Sequence, residues 1–366
     1  MIKNIQVKNF KCFEKISVDC AELNLFTGVN GMGKSTLIQA VLLLRQMLEK
    51  KDIHGKNYIP LNGHYVSLGK INDISYWYKK DSDINIVIEE ENQVWECGYS
   101  QADDALVLVD NTLDWSKSVL NGSGFEYISA ERLGPRRYYD DLDNEYFSRV
   151  QVGVKGERAV SSLYAVGSDS DFKVYENMKN AKECSERLEL QVNAWMSEVS
   201  PGVVVKATPY LEANMMGLRY GKSSIMGEES TNALNMGFGV SYVLPIIIAL
   251  LKARKGDLVI IENPEAHIHP KGQRKIGELV ARTAANGVQV IMETHSDHIL
   301  NGIRLSVKQS IIQSEQVKLN YFNVYQDSDG LMKHEMTSPR ILEDGSLSNW
   351  PEGFFDEWDK AIDLLF

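Results

Sequence analysis

Nine consecutive residues are best equipped for chemistry: Gly28-Val29-Asn30-Gly31-Met32-Gly33-Lys34-Ser35-Thr36. They read G-x-x-x-x-G-K-S, the spacing of a phosphate-binding P-loop. Glycines at these positions let the backbone wrap until N–H groups around Asn30, Gly31 and Gly33 face one anion. A helix beginning near Lys34 adds its positive end. Lys34 is then placed to neutralise β- and γ-phosphates, Ser35 to offer its hydroxyl to Mg²⁺, and Thr36 to supply a further hydroxyl nearby. The pattern predicts a cradle for a nucleoside triphosphate with Mg²⁺.

Three later stretches carry compatible chemistry. Asn235-Met236-Gly237-Phe238-Gly239-Val240-Ser241 precedes an apolar run over 242–251, so Asn235, Gly237 and Gly239 make either a second N–H-rich turn for anions or an ordinary helix start. The run Leu258-Val259-Ile260-Ile261 ends in Glu262-Asn263-Pro264-Glu265. A continuous apolar run of that kind predicts a fully buried parallel strand, delivering Glu262 to the edge where metal and phosphates sit in P-loop folds. Another apolar run, 288–294, ends at His295-Ser296-Asp297-His298. His295 could report on a γ-phosphate and the attacking water, or could simply cap or pack.

These groups need elements to position them. Residues 23–27 form a short apolar strand before the P-loop, and 37–48 a breaker-free apolar helix after it. Alternation over 2–10, followed by 16–19, predicts an opening hairpin. Runs at 83–90, 93–99 and 105–110 predict an antiparallel meander, and 125–129, 203–207 and 216–220 further strands. A helix is expected over 177–197, another over 271–285, an irregular connection over 50–80 and a mobile loop over 221–229. Asp327, Asp329 and Glu335 read as belonging to a hairpin between strands 320–325 and 331–337, with a turn at Asp-Ser-Asp-Gly, in preference to a metal cluster.

With 366 residues, 43% of them hydrophobic and 24% charged, the chain can bury a sizeable core. Its formal net charge of −11 argues against a surface that coats nucleic acid non-specifically, although a local basic groove stays open. Four scattered cysteines suggest reduced thiols, and the lack of a signal-like start or membrane-length apolar run points to the cytoplasm and no membrane. The Arg132, Arg136 and Arg137 cluster could pair with Asp140, Asp141 and Asp143, bind nucleic-acid phosphates, or serve the nucleotide. Trp350, Phe354, Phe355 and Trp358 read as C-terminal packing or a partner-docking patch.

The order of these motifs resembles the ABC-type ATPase heads of the SMC, RecF and OLD group. Ile5 to Phe13 is similar to their opening hairpin, Glu262 to Pro270 to their extended Walker B and D-loop, and 344–356 to a small C-terminal domain of unknown function on bacterial ATPases found in anti-phage systems. The resemblance implies an α/β P-loop nucleotide-binding head with an antiparallel β layer, a largely helical insertion and a small C-terminal extension. The expected divisions are 1–137 and 201–326 for the head, 138–200 for the insertion and 327–366 for the extension. It also implies a homodimer in which each ATP is held by one copy's P-loop and the other copy's turn at 235–241.

One departure stands out. The usual Walker B end is Asp then Glu, whereas here Glu262 takes the metal-acid position and Asn263 the position of the general base. An amide cannot accept the water's proton. Either Glu265 supplies the carboxylate or hydrolysis is slow. The expected function is an ATP-gated dimeric regulator of a separately encoded effector, a nuclease, in anti-phage defence. A RecF-like DNA-maintenance ATPase and a non-hydrolysing ATP-held scaffold are the alternatives.

Overall fold

Alternating apolar and polar residues make the first 19 residues a hairpin: β1 (Ile2–Phe10) and β2 (Phe13–Asp19) pair antiparallel, with Phe10 opposite Phe13. In the computed structural model the described residues are 1–49, 58–78, 83–102, 104–110, 114–140, 151–222, 229–232, 234, 236–328 and 330–365. They divide into two compact units, the first comprising Met1–Gly122, Glu315–Ile341 and Leu347–Phe366, the second Ser123–Ser314 and Leu342–Ser346.

In the first unit, β3 (Leu23–Gly28) leads through the P-loop into α1 (Lys34–Glu49). A one-turn α2 (Ile71–Ile74) follows, then the expected meander of β4 (Asn85–Glu90), β5 (Val94–Ser100) and β6 (Ala105–Leu108). These join the hairpin in an antiparallel sheet of order β2-β1-β4-β5-β6. Every second residue of β4 is buried, the mark of a sheet with one face on a core. After residue 314 the chain returns with β14 (Val317–Gln326), parallel to β3, and β15 (Met332–Thr337), which folds back antiparallel on β14. The expected hairpin thus stands, while Asp329 lies outside the described residues. Helix α8 (Glu357–Leu365) ends the unit. Phe354 is fully buried, meeting Tyr321 edge-on at 5.1 Å, Trp350 at 5.4 Å and Phe355 at 4.8 Å, so it packs; Trp350 stays 53% exposed, and the Trp358 side chain lies outside the described residues.

The second unit holds the parallel strands β7 (Phe125–Ile128), β12 (Leu258–Glu262) and β13 (Gln289–Glu293), with β12 between the other two. The four residues of β12 before Glu262 are wholly buried, as a central parallel strand requires. A second sheet of this unit has β10 (Met215–Lys222) paired with β8 (Tyr138–Asp140), β9 (Val203–Tyr210) and β11 (Glu229–Asn232). The region expected to loop over 221–229 therefore contains strand ends; its middle, 223–228, lies outside the described residues.

Helices α3 (Ala159–Gly167), α4 (Leu188–Val199), α5 (Phe238–Lys252), α6 (Pro270–Ala285) and α7 (Asp297–Lys308) complete this unit. The helix expected over 177–197 starts only at Leu188. Before it, the Gln191 side chain accepts the Asn180 N–H at 2.8 Å and donates to the carbonyls of Glu183 and Ser185, fixing an irregular segment that apolar spacing alone would read as helix. Helices α6 and α7 cross closely at glycines: a Cβ on Gly302 would lie 2.2 Å from the Arg274 carbonyl oxygen.

A buried ion pair, Lys252 with Glu126, ties α5 to β7, and the second Glu126 oxygen accepts the Val152 N–H at 3.2 Å. Both side chains are 6% exposed. Lys252→Met strands a buried carboxylate, so it is expected to lower unfolding stability by about 3–5 kcal/mol in urea titration. Adding Glu126→Gln should recover part of the loss; an unchanged midpoint for the single variant would contradict the pairing.

Candidate functional site

The first unit shapes the P-loop by sterics. Gly28, Gly31 and Gly33 have φ of +136°, +80° and +97°, the left-handed region that side chains rarely enter. A Cβ on Gly28 would also lie 2.2 Å from the Phe322 carbonyl oxygen, and one on Gly33 2.4 Å from the Phe13 ring and 2.7 Å from Cys12 Sγ. Helix α1 begins at Lys34, and Thr36 N–H donates to the Gly33 carbonyl at 3.0 Å. Lys34 is 2% exposed; its ammonium donates to the carbonyls of Gly28 at 3.0 Å and Val29 at 2.7 Å. Its charge is thus folded onto the loop that would hold the phosphates. Asn30 and Gly31 stand exposed and Ser35 half-buried.

In the second unit, β12 and β13 run in register so that Glu262 lies opposite Glu293. The Glu262 carboxylate accepts the Tyr127 hydroxyl and the Ala130 N–H, each at 3.1 Å. Burial raises its pKa, and those two bonds and the Arg132 charge partly oppose the shift. The same burial, with Glu262 and Glu293 nearby, pushes the Tyr127 phenol up, so it remains a donor at neutral pH.

Arg132 is buried rather than part of a salt-bridged surface. Its guanidinium donates to the carbonyls of Ser129 (2.8 Å), Glu262 (2.6 Å) and Asn263 (2.6 Å), and lies 5.2 Å over the Tyr242 ring. Burial lowers its pKa to about 10, so it stays charged at neutral pH. This arginine clamps the backbone on either side of the acid. Arg136 and Arg137 are exposed, whereas Asp141 and Asp143 lie outside the described residues.

Asn263 has φ of +45°, with its N–H donating to the Glu293 carbonyl at 2.9 Å. Asparagine tolerates that left-handed conformation better than glutamate does, a physical reason for an amide here. The turn it starts returns the chain to β13 through Glu265. One Glu265 oxygen accepts the Thr294 hydroxyl at 2.8 Å and the other the His295 backbone N–H at 2.7 Å. A carboxylate has about four lone-pair positions, so two bonds orient it and leave other acceptor positions open. The cap of α7 is Ser296, whose hydroxyl accepts the Ile299 N–H at 3.1 Å, which removes the capping role from His295; its side chain is half-buried.

Of the glycine-rich turn, Asn235 lies outside the described residues. Gly237 precedes α5 with open space around it, while a Cβ on Gly239 would meet the His267 carbonyl oxygen at 2.2 Å. The His267 ring contacts Phe238 at 5.8 Å and Tyr242 at 5.1 Å. Within this unit Glu262, Glu265, Asn263 and the His295 backbone therefore converge, and Gly239 packs against the same turn. Sequence reasoning missed Tyr127, Glu293 and Thr294 as members of this group. Glu293 and Thr294 end an apolar run next to His295, a signal that was present; nothing in the sequence marks Tyr127.

Fold and site together define a P-loop ATPase head of the SMC, RecF and OLD type. The chain belongs to the AAA ATPase domain family, whose model matches residues 1–191. A second model, described as "AAA domain, putative AbiEii toxin, Type IV TA system", matches 98–301, and a "Protein of unknown function (DUF3696)" model matches 312–365. The chain is 26% identical over 326 residues to an OLD nuclease of Thermus scotoductus, covering 81% of this chain and 59% of that protein, so it spans less than two thirds of the relative. Two solved SMC heads share the fold. One, bound to the C-winged helix domain of ScpA, has a TM-score of 0.55 at 13% identity, over 92% of this chain and 97% of that one. The other, from Pyrococcus furiosus with an extended coiled coil and the C-terminal domain of ScpA, has a TM-score of 0.52 at 13% identity, over 100% and 98%. The protein is therefore an ATP-binding ATPase of the AAA/SMC/OLD type. Among the described residues no helix is long and apolar enough to cross a membrane.

Proposed function

We propose that this ATPase is a slow, ATP-gated switch in the cytoplasm: two copies close around two ATPs, and the closed homodimer controls a separately encoded nuclease in bacterial anti-phage defence. Asn30, Gly31, Gly33, Lys34, Ser35 and Thr36 hold the triphosphate, and Asn235, Gly237 and Gly239 of the other copy cover it. Ser35 and Glu262 offer the hydroxyl and carboxylate oxygens that suit Mg²⁺. When bound, Mg²⁺ would draw charge from the triphosphate. Glu265 accepts the proton of the attacking water, and His295 registers the γ-phosphate. Residues 1–137 and 201–326 form the head, 138–200 an insertion and 327–366 the small C-terminal extension.

The observation that carries this reading is the pairing of Asn263, held at φ of +45°, with a Glu265 carboxylate fixed through both oxygens. The usual base is replaced by an amide, and the carboxylate that remains is tied to the strand end bearing His295. Slow turnover and a long-lived ATP state follow. Similarity to a protein named OLD nuclease supports a nuclease as the effector. The same amide favours a second reading, a scaffold that holds ATP without hydrolysing it.

Co-expression with the products of adjacent genes tests the switch. Nuclease activity that changes with ATP, and ceases to do so in Lys34→Met, is the expected result. Activity indifferent to both would overturn it.

A further inference from the structure

Beside the P-loop, the first unit carries an exposed aromatic surface with no role so far. Trp77 is 54% exposed, yet its backbone is fastened: its N–H donates to the Lys11 carbonyl at 3.1 Å, and Tyr76 N–H donates to Asn9 at 3.1 Å. In return Lys11 N–H donates to Ile74 at 2.8 Å. Asn9 and Lys11, which receive this segment, both sit at φ of +52°. Two non-glycine residues in the left-handed region mark a turn whose shape is held by its surroundings, a feature that concentrates at ligand sites.

The indole faces His334 edge-on, with ring centroids 5.7 Å apart and planes at 77°; His334 in turn stands edge-on to Phe13 at 5.8 Å. His334 Nδ1 lies 3.3 Å from the Met32 carbonyl oxygen, inside the P-loop. A carbonyl only accepts, so Nδ1 carries the proton and the imidazole links the loop directly to Trp77. Burial lowers the His334 pKa, with the Met32 bond opposing, so this link is neutral at physiological pH. A rigid, wet aromatic face one residue away from a phosphate cradle matches the other half of a nucleotide: bases stack on aromatic side chains irrespective of their edge pattern.

We propose that Trp77, braced by His334, is the seat of the nucleotide's base, which stacks on the indole while the P-loop holds the phosphates. The inference rests on the P-loop reading above. It gives the site a reason to prefer a nucleoside triphosphate over a bare polyphosphate, which neither Lys34 nor the loop amides provide.

The test uses the full chain with two magnesium-loaded probes, ATP and inorganic tripolyphosphate, and titration calorimetry. Trp77→Ala is expected to weaken ATP roughly tenfold, within the range measured for base–aromatic stacking, and to leave tripolyphosphate unchanged. Trp77→Phe, which keeps a π-face, should retain most of the ATP affinity. Unchanged ATP affinity in Trp77→Ala, or equal weakening of both probes, overturns the base seat while leaving the P-loop reading intact. If wild type binds neither probe, the P-loop reading fails and the base seat falls with it.

Discussion

Lys34→Met is expected to abolish ATP binding at concentrations that saturate the wild type. The substitution keeps the aliphatic stem, so the buried volume around α1 is largely filled, while the ammonium is removed. In the structure that ammonium is satisfied by the Gly28 and Val29 carbonyls, poised to transfer to phosphate oxygens. Charge-assisted hydrogen bonds contribute about 1.5–3 kcal/mol each. Loss of one or two to a triphosphate therefore weakens binding by roughly one to four orders of magnitude. Equilibrium dialysis with labelled ATP reads this directly. Wild-type affinity in Lys34→Met would remove the P-loop from the mechanism.

Glu265→Gln is expected to cut turnover by about two to four orders of magnitude, the usual contribution of a general base, while ATP still binds. The amide oxygen can still accept the His295 N–H while the amide NH₂ donates to the Thr294 hydroxyl, so both contacts survive and folding stability changes little. The two effects separate: hydrolysis falls far more than folding does. If Glu265→Gln turns over like wild type, Glu265 is not the base, and its role is to brace the strand end at His295. Asn263→Glu is no repair, because the new side chain must enter the left-handed region that Asn263 tolerates.

Much of this was legible in the sequence because it is written in local rules. The P-loop glycines are dictated by backbone geometry, and the apolar run before Glu262 by burial on both faces of a parallel strand. The opening hairpin and the meander follow from alternation and turn residues. Less legible were features set by partners distant in the chain. Arg132 looked like one of three surface arginines, yet its partners are the carbonyls of Glu262 and Asn263, about 130 residues away. Tyr127 carries no signal until β7 lies beside β12. Likewise the late start of α4 depends on the Gln191 side chain bonding back to 180–185, a competition that periodicity does not register.

The chemistry at Asn263 shows how composition and conformation combine. The amide removed a base by type alone, which the sequence revealed. Only the backbone angle gives a reason for the amide, and only the bonds to Thr294 and His295 show Glu265 to be fixed.

The most direct test is a time course of molecular mass by light scattering, with released phosphate measured in the same sample after one addition of MgATP. The account predicts a monomer that doubles in mass when ATP arrives, then returns to monomer at the slow rate of phosphate release; Lys34→Met stays monomeric throughout. A mass that never changes while phosphate is released, or a dimer equally present without ATP, would contradict the ATP-gated switch.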